Sequence, residues 1–509
     1  MAEGVWRIAA DDPSRPAVVE AAGAIRTYGE LADRANRLAH GLRRLGLTTG
    51  DVVAAVLPNQ AVMLELQLAA FQSGLYLVPI NTRLTAPEIA YILDDSRAKA
   101  LVYSDRFGPA VDAALDSLAA PPPAFSSTDG LEQLTKGVPA ARPDDRTAGT
   151  TMHYTSGTTG RPKGVRRPLS GAEPDEQAER IPMFLAMFGV VPHGDGVHLA
   201  VSPLYHTAVM TFSTASLHAG HTVVLMDGWS PEETLRLIAE WRVTTSHMVP
   251  TQFHRLLALP DEVRAAADVS SLTNVIHAAA PCPIGDKRRM LDWWGPVIYE
   301  YYAATEGGGT LVTPREWLDR PGTVGRAWPT SAVHVEDDEG RPCPPGVPGT
   351  VWMSLAPADF EYHRDAEKTR AGRHDGFFTV GDIGYLDEDG YLFLCDRKAD
   401  MIISGGVNIY PAEIESALFG HPKVADVAVF GIPDAEWGEQ VKAVVEPVRG
   451  ATAGPDLARE LDEFCRERLA GYKCPKTFDF TEAMPREPTG KLLKRTLRDP
   501  YWAAERRNI

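Results

Sequence analysis

Cysteine is scarce in this chain. Its five cysteines, Cys282, Cys343, Cys395, Cys465 and Cys474, form no CxxC pair and join no histidine cluster at zinc spacing. That argues against a disulfide framework or a structural zinc and for reduced thiols in a cytosol. Long hydrophobic runs are missing as well. The most apolar stretch, residues 52 to 80, is broken by Pro58, Asn59, Gln60, Glu65, Gln67 and Gln72, which hydrocarbon does not accept without partners, so no transmembrane helix is expected. The start MAEGVWRIAADD has no basic segment followed by an apolar one, so a secretory signal is not expected and a cytoplasmic location is. Positive charge is in deficit: 51 Lys and Arg against 68 Asp and Glu leave a formal net charge of −17. Such a chain repels nucleic acid and anionic lipid, so a phosphate ligand would need a local site.

At 509 residues the chain exceeds one ordinary core, and several packed units are expected. In TYGELADRANRLAHGLRRLGL, Thr27 and Glu30 make a capping box. Leu31, Ala35, Leu38, Leu42 and Leu45 then recur at helical spacing, with Gly46 as the stop. Short apolar runs such as DVVAAVLPN and LYLVPI alternate with helical patterns, and the alternation returns in HTVVLMD, PEETLRLIAEWRV, TTSHMVP and LTNVIHAAAP. This is the pattern of a mostly parallel sheet covered by helices, so residues 1 to about 330 read as α/β. After Gly322 short strands and Gly/Pro turns suggest a β subdomain. Helical patterning is expected again only after residue 410, in a compact α+β unit of about a hundred residues. Residues 119 to 149, rich in Ala, Pro, Ser and Asp, read as a surface loop.

YTSGTTGRPKGV, residues 154 to 165, combines three glycines with hydroxyls, Arg161 and Lys163. Glycines let backbone N–H groups turn toward an anion, and hydroxyls and a lysine add donors, so the stretch reads as a phosphate cradle. It is not a Walker loop, because Pro162 precedes Lys163 and Gly164 follows it where Ser or Thr is needed for magnesium. Four further stretches stand out: HAAAPCP (277 to 283), YYAATEGG (301 to 308), FFTVGDIGYLDEDGYLFLCDRKADMIISGGVNIYPAEIE (377 to 415) and REPTGKLLKR (486 to 495). Most are weak singly. In this order and at these separations they closely resemble the adenylate-forming superfamily of acyl-CoA synthetases, luciferases and peptide-synthetase adenylation domains. The tightest match is to bacterial fatty-acyl and bile-acid-type CoA ligases. That resemblance implies a large N-terminal α/β domain over 1–396, a hinge at 397–399 and a mobile C-terminal domain over 400–509.

The resemblance implies a reaction of two steps: a carboxylate attacks the α-phosphate of ATP, and a thiol then takes the acyl group from the adenylate. Thr155, Ser156, Gly157, Thr158, Thr159, Gly160 and Lys163 would hold the departing phosphates. Thr305 would bond a phosphate oxygen and Glu306 would supply a carboxylate to Mg²⁺, which favours one or two carboxylates plus phosphate oxygens. Tyr302 would stack beneath adenine beside Ala278, Ala279, Ala280 and Pro281. Asp382, an acceptor when ionised, suits both ribose hydroxyls, and Arg397 resembles the family arginine at the same ribose. Lys491 would stabilise charge in the adenylation transition state. Gly405 and Gly406 would line the pantetheine path of coenzyme A. His206 resembles a gate beside the substrate carboxylate. Three departures stand out: Ala303 replaces a common Gly, which could narrow or bend the acyl pocket, Ala399 occupies the usual Asp or Lys hinge position, and Val407 follows Gly406 where many relatives carry Glu.

The segment PLYHTAVMTF offers no carboxylate for an α-ammonium, so an amino acid substrate is not expected. Met210, Phe212, Met248, Val249 and Phe253 would form an apolar wall for an aliphatic or alicyclic acid, with plain core packing as the alternative. The resulting expectation is an AMP-forming acyl-CoA synthetase, an acid–thiol ligase of fatty acid metabolism, working as a monomer or homodimer. A carrier protein or amine as acceptor, another oxyanion as substrate, and a nucleotide sensor that has lost catalysis stay open as alternatives.

Overall fold

The computed structural model describes residues 4–155, 162–192, 195–355, 359–486 and 492–503. Two sheets carry the large N-terminal α/β domain. The first runs in the order Arg326–Ala327, Gly307–Val312, Ile298–Ala304, Asn274–His277, Thr245–Met248, Val197–Ala200, Thr222–Leu225, Pro16–Val19 and Ile25–Thr27. Its six interior strands, Pro16–Val19 to Ile298–Ala304, pair in parallel, and antiparallel hairpins close both edges. The second sheet, Ala124–Ser126, Ala100–Tyr103, Val52–Val56, Tyr76–Pro79 and Thr150–Thr151, is parallel throughout. Strands buried on both faces read as continuous apolar runs, as VVAAV at Val52–Val56 does.

The helix Tyr28–Arg44 starts at the expected capping box, with Thr27 N–H donating to Glu30 and Glu30 N–H to Thr27 Oγ1. Leu31, Ala35, Leu38 and Leu42 are buried in the core with the helix Ala61–Gln72. Leu45 is not part of that stripe: it caps the helix and is 40% exposed. Residues 119 to 149 are more than a loop. Ala124–Ser126 adds an edge strand, and the helix Asp129–Thr135 buries Leu131 and Leu134. Only two of its side chains reach the core, too few for a visible period.

The β subdomain appears as expected after Gly322, as antiparallel ribbons Ser331–Glu336 with Gly349–Leu355 and Asp382–Leu386 with Leu392–Arg397. A short helix, Ala366–Ala371, lies among them, earlier than the patterning indicated. The Asp365 side chain caps it by accepting from Lys368 N–H. The small C-terminal domain has the helices Pro411–Phe419, Pro455–Arg466 and Lys494–Ala503 around a five-stranded sheet built on the hairpin Val424–Asp434/Gly438–Pro447. All five cysteines are free thiols, and among the described residues no helix is long and apolar enough to cross a membrane.

Candidate active site

The hairpin Ile298–Ala304/Gly307–Val312 forms the floor of the site. Its register sets Tyr302 against Thr310 and Ala303 against Gly309, with an irregularity before Ala304 that turns Thr305 and Glu306 out of the ladder. Gly309 has to be glycine. Its φ is 152°, and a Cβ there would lie 2.2 Å from the Tyr302 carbonyl oxygen and 3.0 Å from Ala303 Cβ. The extra methyl of Ala303 therefore already fills this contact. Beside the hairpin, the strand Asn274–His277 ends in Ala278, Ala279 and Ala280, and Ala279 has φ 77°. A left-handed alanine is strained, and such strain is held where surrounding structure demands that shape.

Asp382 and Arg397 are direct partners across the antiparallel pair Asp382–Leu386/Leu392–Arg397, so hairpin register brings together residues fifteen apart in sequence. Arg397 Nε lies 3.4 Å from Asp382 Oδ1, and the Tyr302 hydroxyl donates to Asp382 Oδ2 at 2.6 Å. Burial first, and then the Asp382 charge, push the Tyr302 pKa far up, which keeps its proton available for this bond.

Glu306 is 8% exposed and accepts a 2.7 Å bond from the Tyr362 hydroxyl, whose pKa burial and Glu306 both raise. Arg167 donates to the Thr305 carbonyl at 2.8 Å; burial pulls its pKa down and the Glu306 charge pulls it back. Lys163 pairs with Asp365, and its Nζ lies 6.0 Å from the Tyr362 ring centroid. Lys368 Nζ sits 5.3 Å from the same ring, and burial and the neighbouring Lys163 charge lower its pKa. Three cations thus surround Tyr362 and Glu306, a local positive site in an acidic chain. Tyr362, Arg167, Asp365 and Lys368 were not singled out in the sequence. The signal for them was the basic stretch KGVRR (163 to 167) and the charged stretch HRDAEK (363 to 368) far along the chain.

Other expected residues fall as follows. Thr155 ends the strand His153–Thr155, opposite Lys163 in the next strand. His206 is the N-cap residue of the helix Thr207–His218, its ring 4.4 Å from that of Tyr205. Pro281 is exposed just past the alanines. Gly405 and Gly406, at φ 57° and 79°, form the turn of the hairpin Ile402–Ser404/Val407–Ile409 in the C-terminal domain and are not part of the set around Glu306. Ser156, Gly157, Thr158, Thr159, Gly160 and Lys491 lie outside the described residues. The expected apolar wall does not form as one surface. Met210 and Phe212, on the helix Thr207–His218, enter two different cores, and Met248, at the end of a strand, and Phe253, on the helix Pro250–Leu257, share a third; Val249, the N-cap of that helix, is buried.

The AMP-binding enzyme family matches residues 5–356, and the AMP-binding enzyme C-terminal domain matches residues 413–491. The chain belongs to the AMP-binding enzyme family. Among relatives of this AMP-binding enzyme is the fatty acid–[acyl-carrier-protein] ligase ScoC of Streptomyces coeruleorubidus, 34% identical over 98% of this chain and 96% of that protein. Another is the long-chain-fatty-acid–CoA ligase FadD13 of Mycobacterium tuberculosis, 35% identical over 96% of each chain. The ATP-bound crystal structure of MatB from Rhodopseudomonas palustris superposes with a TM-score of 0.83 at 32% identity, over 98% of this chain and 99% of that one. The resemblance read from the motifs and the expected division into a large α/β and a small C-terminal domain are both borne out.

Proposed function

We propose that this AMP-binding enzyme is an acid–thiol ligase that activates a lipophilic carboxylic acid as its acyl-adenylate and passes the acyl group to coenzyme A. The observation that carries the reading is the convergence of residues from 163, 302–306, 362–368, 382 and 397 on one strip. A carboxylate suited to ribose and a cation cluster suited to phosphates lie there, joined by the hairpin that carries Tyr302 and Glu306.

Adenine lies on Tyr302 beside Ala278, Ala279, Ala280 and Pro281. Asp382 accepts from the ribose hydroxyls, which then compete with Tyr302 for its oxygens, and Arg397 lies beside it at the same ribose. Lys163, Lys368 and Arg167, with the stretch Thr155 to Gly160, hold the outer phosphates, and Thr305 bonds one phosphate oxygen. Glu306 is a single buried carboxylate next to this anion site, a donor set that fits Mg²⁺ shared with phosphate oxygens. When bound, that ion offsets phosphate charge. One carboxylate oxygen of the acid attacks the α-phosphorus, the bond to the bridging oxygen breaks and pyrophosphate leaves, with Lys491 stabilising the charge that builds. The thiol then attacks the acyl carbon, loses its proton to solvent and expels AMP. His206 lies beside the acid carboxylate.

The domain boundary belongs to the same proposal, with residues 1–396 as the adenylation domain, 397–399 as hinge and 400–509 as the mobile domain. Asp396, on the N-terminal side, accepts from Ala412 N–H at 2.8 Å at the start of the helix Pro411–Phe419. Arg498 reaches the Ala399 carbonyl at 3.3 Å. Rotation about the hinge would break both contacts, withdraw Lys491 and bring the Gly405–Gly406 turn to the thiol path. The apolar body of the acid fits beside Ala278 and Ala303, which pack with Phe188, Phe212, Tyr301 and Trp328.

A panel of carboxylic acids assayed for pyrophosphate release with and without CoA tests this reading. Release with at least one acid, and thioester only with CoA present, is the expected result. A carrier-protein acceptor is the second reading, favoured by the likeness to ScoC. Release with acyl transfer to a phosphopantetheinylated carrier and none to CoA would replace the first reading by the second.

A further inference from the structure

The two strands that present Thr155 and Lys163 are tied to one helix at both of their facing ends. On the first strand, the Tyr154 hydroxyl donates to Asp95 Oδ2 at 2.6 Å. At the start of the second, the Pro162 carbonyl accepts from the Tyr91 hydroxyl at 3.1 Å. Tyr91 and Asp95 are four residues apart on the helix Ala86–Ser96 and so share one face. A neighbouring face carries Ile89, Ile92 and Leu93 into the core of the five-stranded parallel sheet, so the helix is a fixed base.

Two further contacts stiffen the arrangement. Tyr154 faces Gly164 across the ladder, and a Cβ at Gly164 would lie 3.1 Å from the Tyr154 ring, so that ring covers the glycine. His363 donates its backbone N–H to the Gly164 carbonyl at 2.8 Å, while its Nε2 meets the Asp95 carbonyl at 3.0 Å. Burial and the Asp95 carboxylate both raise the Tyr154 pKa, so the tyrosine stays a donor in a charge-assisted bond.

We propose that Tyr91 and Asp95 are positioning residues: they fix the paired strand ends against the helix Ala86–Ser96, and with them the placement of Thr155 and Lys163 at the β- and γ-phosphates of a nucleoside triphosphate. The inference rests on the nucleotide reading above. Neither residue touches nucleotide, since each acts through a backbone carbonyl or a tyrosine on the opposite strand. The bonds should therefore matter for the outer phosphates and not for AMP, which Tyr302 and Asp382 hold.

Calorimetric titration of the full chain with the magnesium complex of β,γ-methylene-ATP, and separately with AMP, tests this without knowledge of the acid. Tyr91→Phe, Tyr154→Phe, Asp95→Ala and the Tyr154→Phe/Asp95→Ala double variant are compared with the wild type. Loss of a hydrogen bond to a charged group should weaken the analogue about tenfold in Tyr154→Phe and Asp95→Ala, and the neutral bond in Tyr91→Phe about threefold to tenfold. AMP should stay within about twofold, and the double variant should be no weaker than Asp95→Ala alone, because both changes remove one bond. Equal weakening of analogue and AMP would show general structural support and overturn the proposal, as would unchanged analogue binding in the two Tyr→Phe variants, which keep the ring packing. A wild type that binds neither ligand would overturn the nucleotide reading itself, and this inference with it.

Discussion

Acidification should weaken the N-terminal domain well before the pH at which carboxylates alone would act. His153, His198, His218 and His247 are all buried, and burial lowers their pKa values to about 4, about 3, about 4 and about 4. An unfolded histidine titrates near 6.5, so between that pH and the folded values the unfolded chain binds more protons, and stability falls as pH falls. At pH 5 each of the four costs about 2 kcal/mol relative to pH 7. Buried carboxyls whose pKa is raised, Glu65 and Glu300 among them, oppose these histidines, while His277, lowered by burial and then by Lys287, adds to them. Burial raises Glu65 to about 7, offset in part by Arg34 and Arg26. Its folded form therefore takes up a proton first and recovers about 2 kcal/mol over the same interval. For the four histidines and Glu65 together the net loss is about 5 to 6 kcal/mol, a large share of an ordinary domain's stability. Urea unfolding followed by tryptophan fluorescence and circular dichroism at pH 7 and pH 5 measures it. The midpoint should fall steeply with m unchanged. A midpoint that holds or rises on acidification would show that these histidines do not stay neutral in the fold.

Three substitutions probe separate parts of the account. Lys491→Ala should slow adenylate formation by about 10² to 10³-fold while thioester formation from supplied acyl-adenylate and CoA survives; equal loss in both half-reactions, with the protein folded, would remove the case for a rotating domain. Glu306→Gln should raise the magnesium concentration needed for half-maximal activity, and full activity at limiting magnesium would contradict the metal assignment. Lys287 is fully buried, ion-paired to Glu300 and 4.7 Å from the Trp317 ring centroid. Lys287→Ala should therefore cost about 3 to 5 kcal/mol by stranding a buried carboxylate, read as a lower urea midpoint. Unchanged stability would mean that Glu300 takes up a proton at no cost.

Periodicity made the parallel sheets and their covering helices legible, because buried strands and amphipathic helices write different repeats into the chain. The segment Asp129–Thr135 left no such trace, since only Leu131 and Leu134 of its residues are buried. At the site, Asp382 and Arg397 could be picked out from their motif, yet their contact depends on hairpin register, which only pairing reveals. Tyr362, on a two-residue strand, and Arg167, just past the strand Lys163–Arg166, were missed because one Tyr or Arg there carries no pattern; what sets them apart is contact with Glu306 and Thr305. The apolar wall misled for the opposite reason. Apolar residues from two stretches, on two helices and a strand, were taken as one surface, while their side chains enter different cores.

The fate of one carboxylate oxygen tests the central claim most directly. With an acid found active in the panel and labelled with ¹⁸O in its carboxylate, complete turnover with ATP and CoA should place one labelled oxygen in AMP, since the oxygen that attacks the α-phosphorus stays with it when the thiol displaces AMP. Pyrophosphate should carry no label. Unlabelled AMP, or label in pyrophosphate or inorganic phosphate, would contradict an acyl-adenylate intermediate and with it the reading of this strip as an adenylation site.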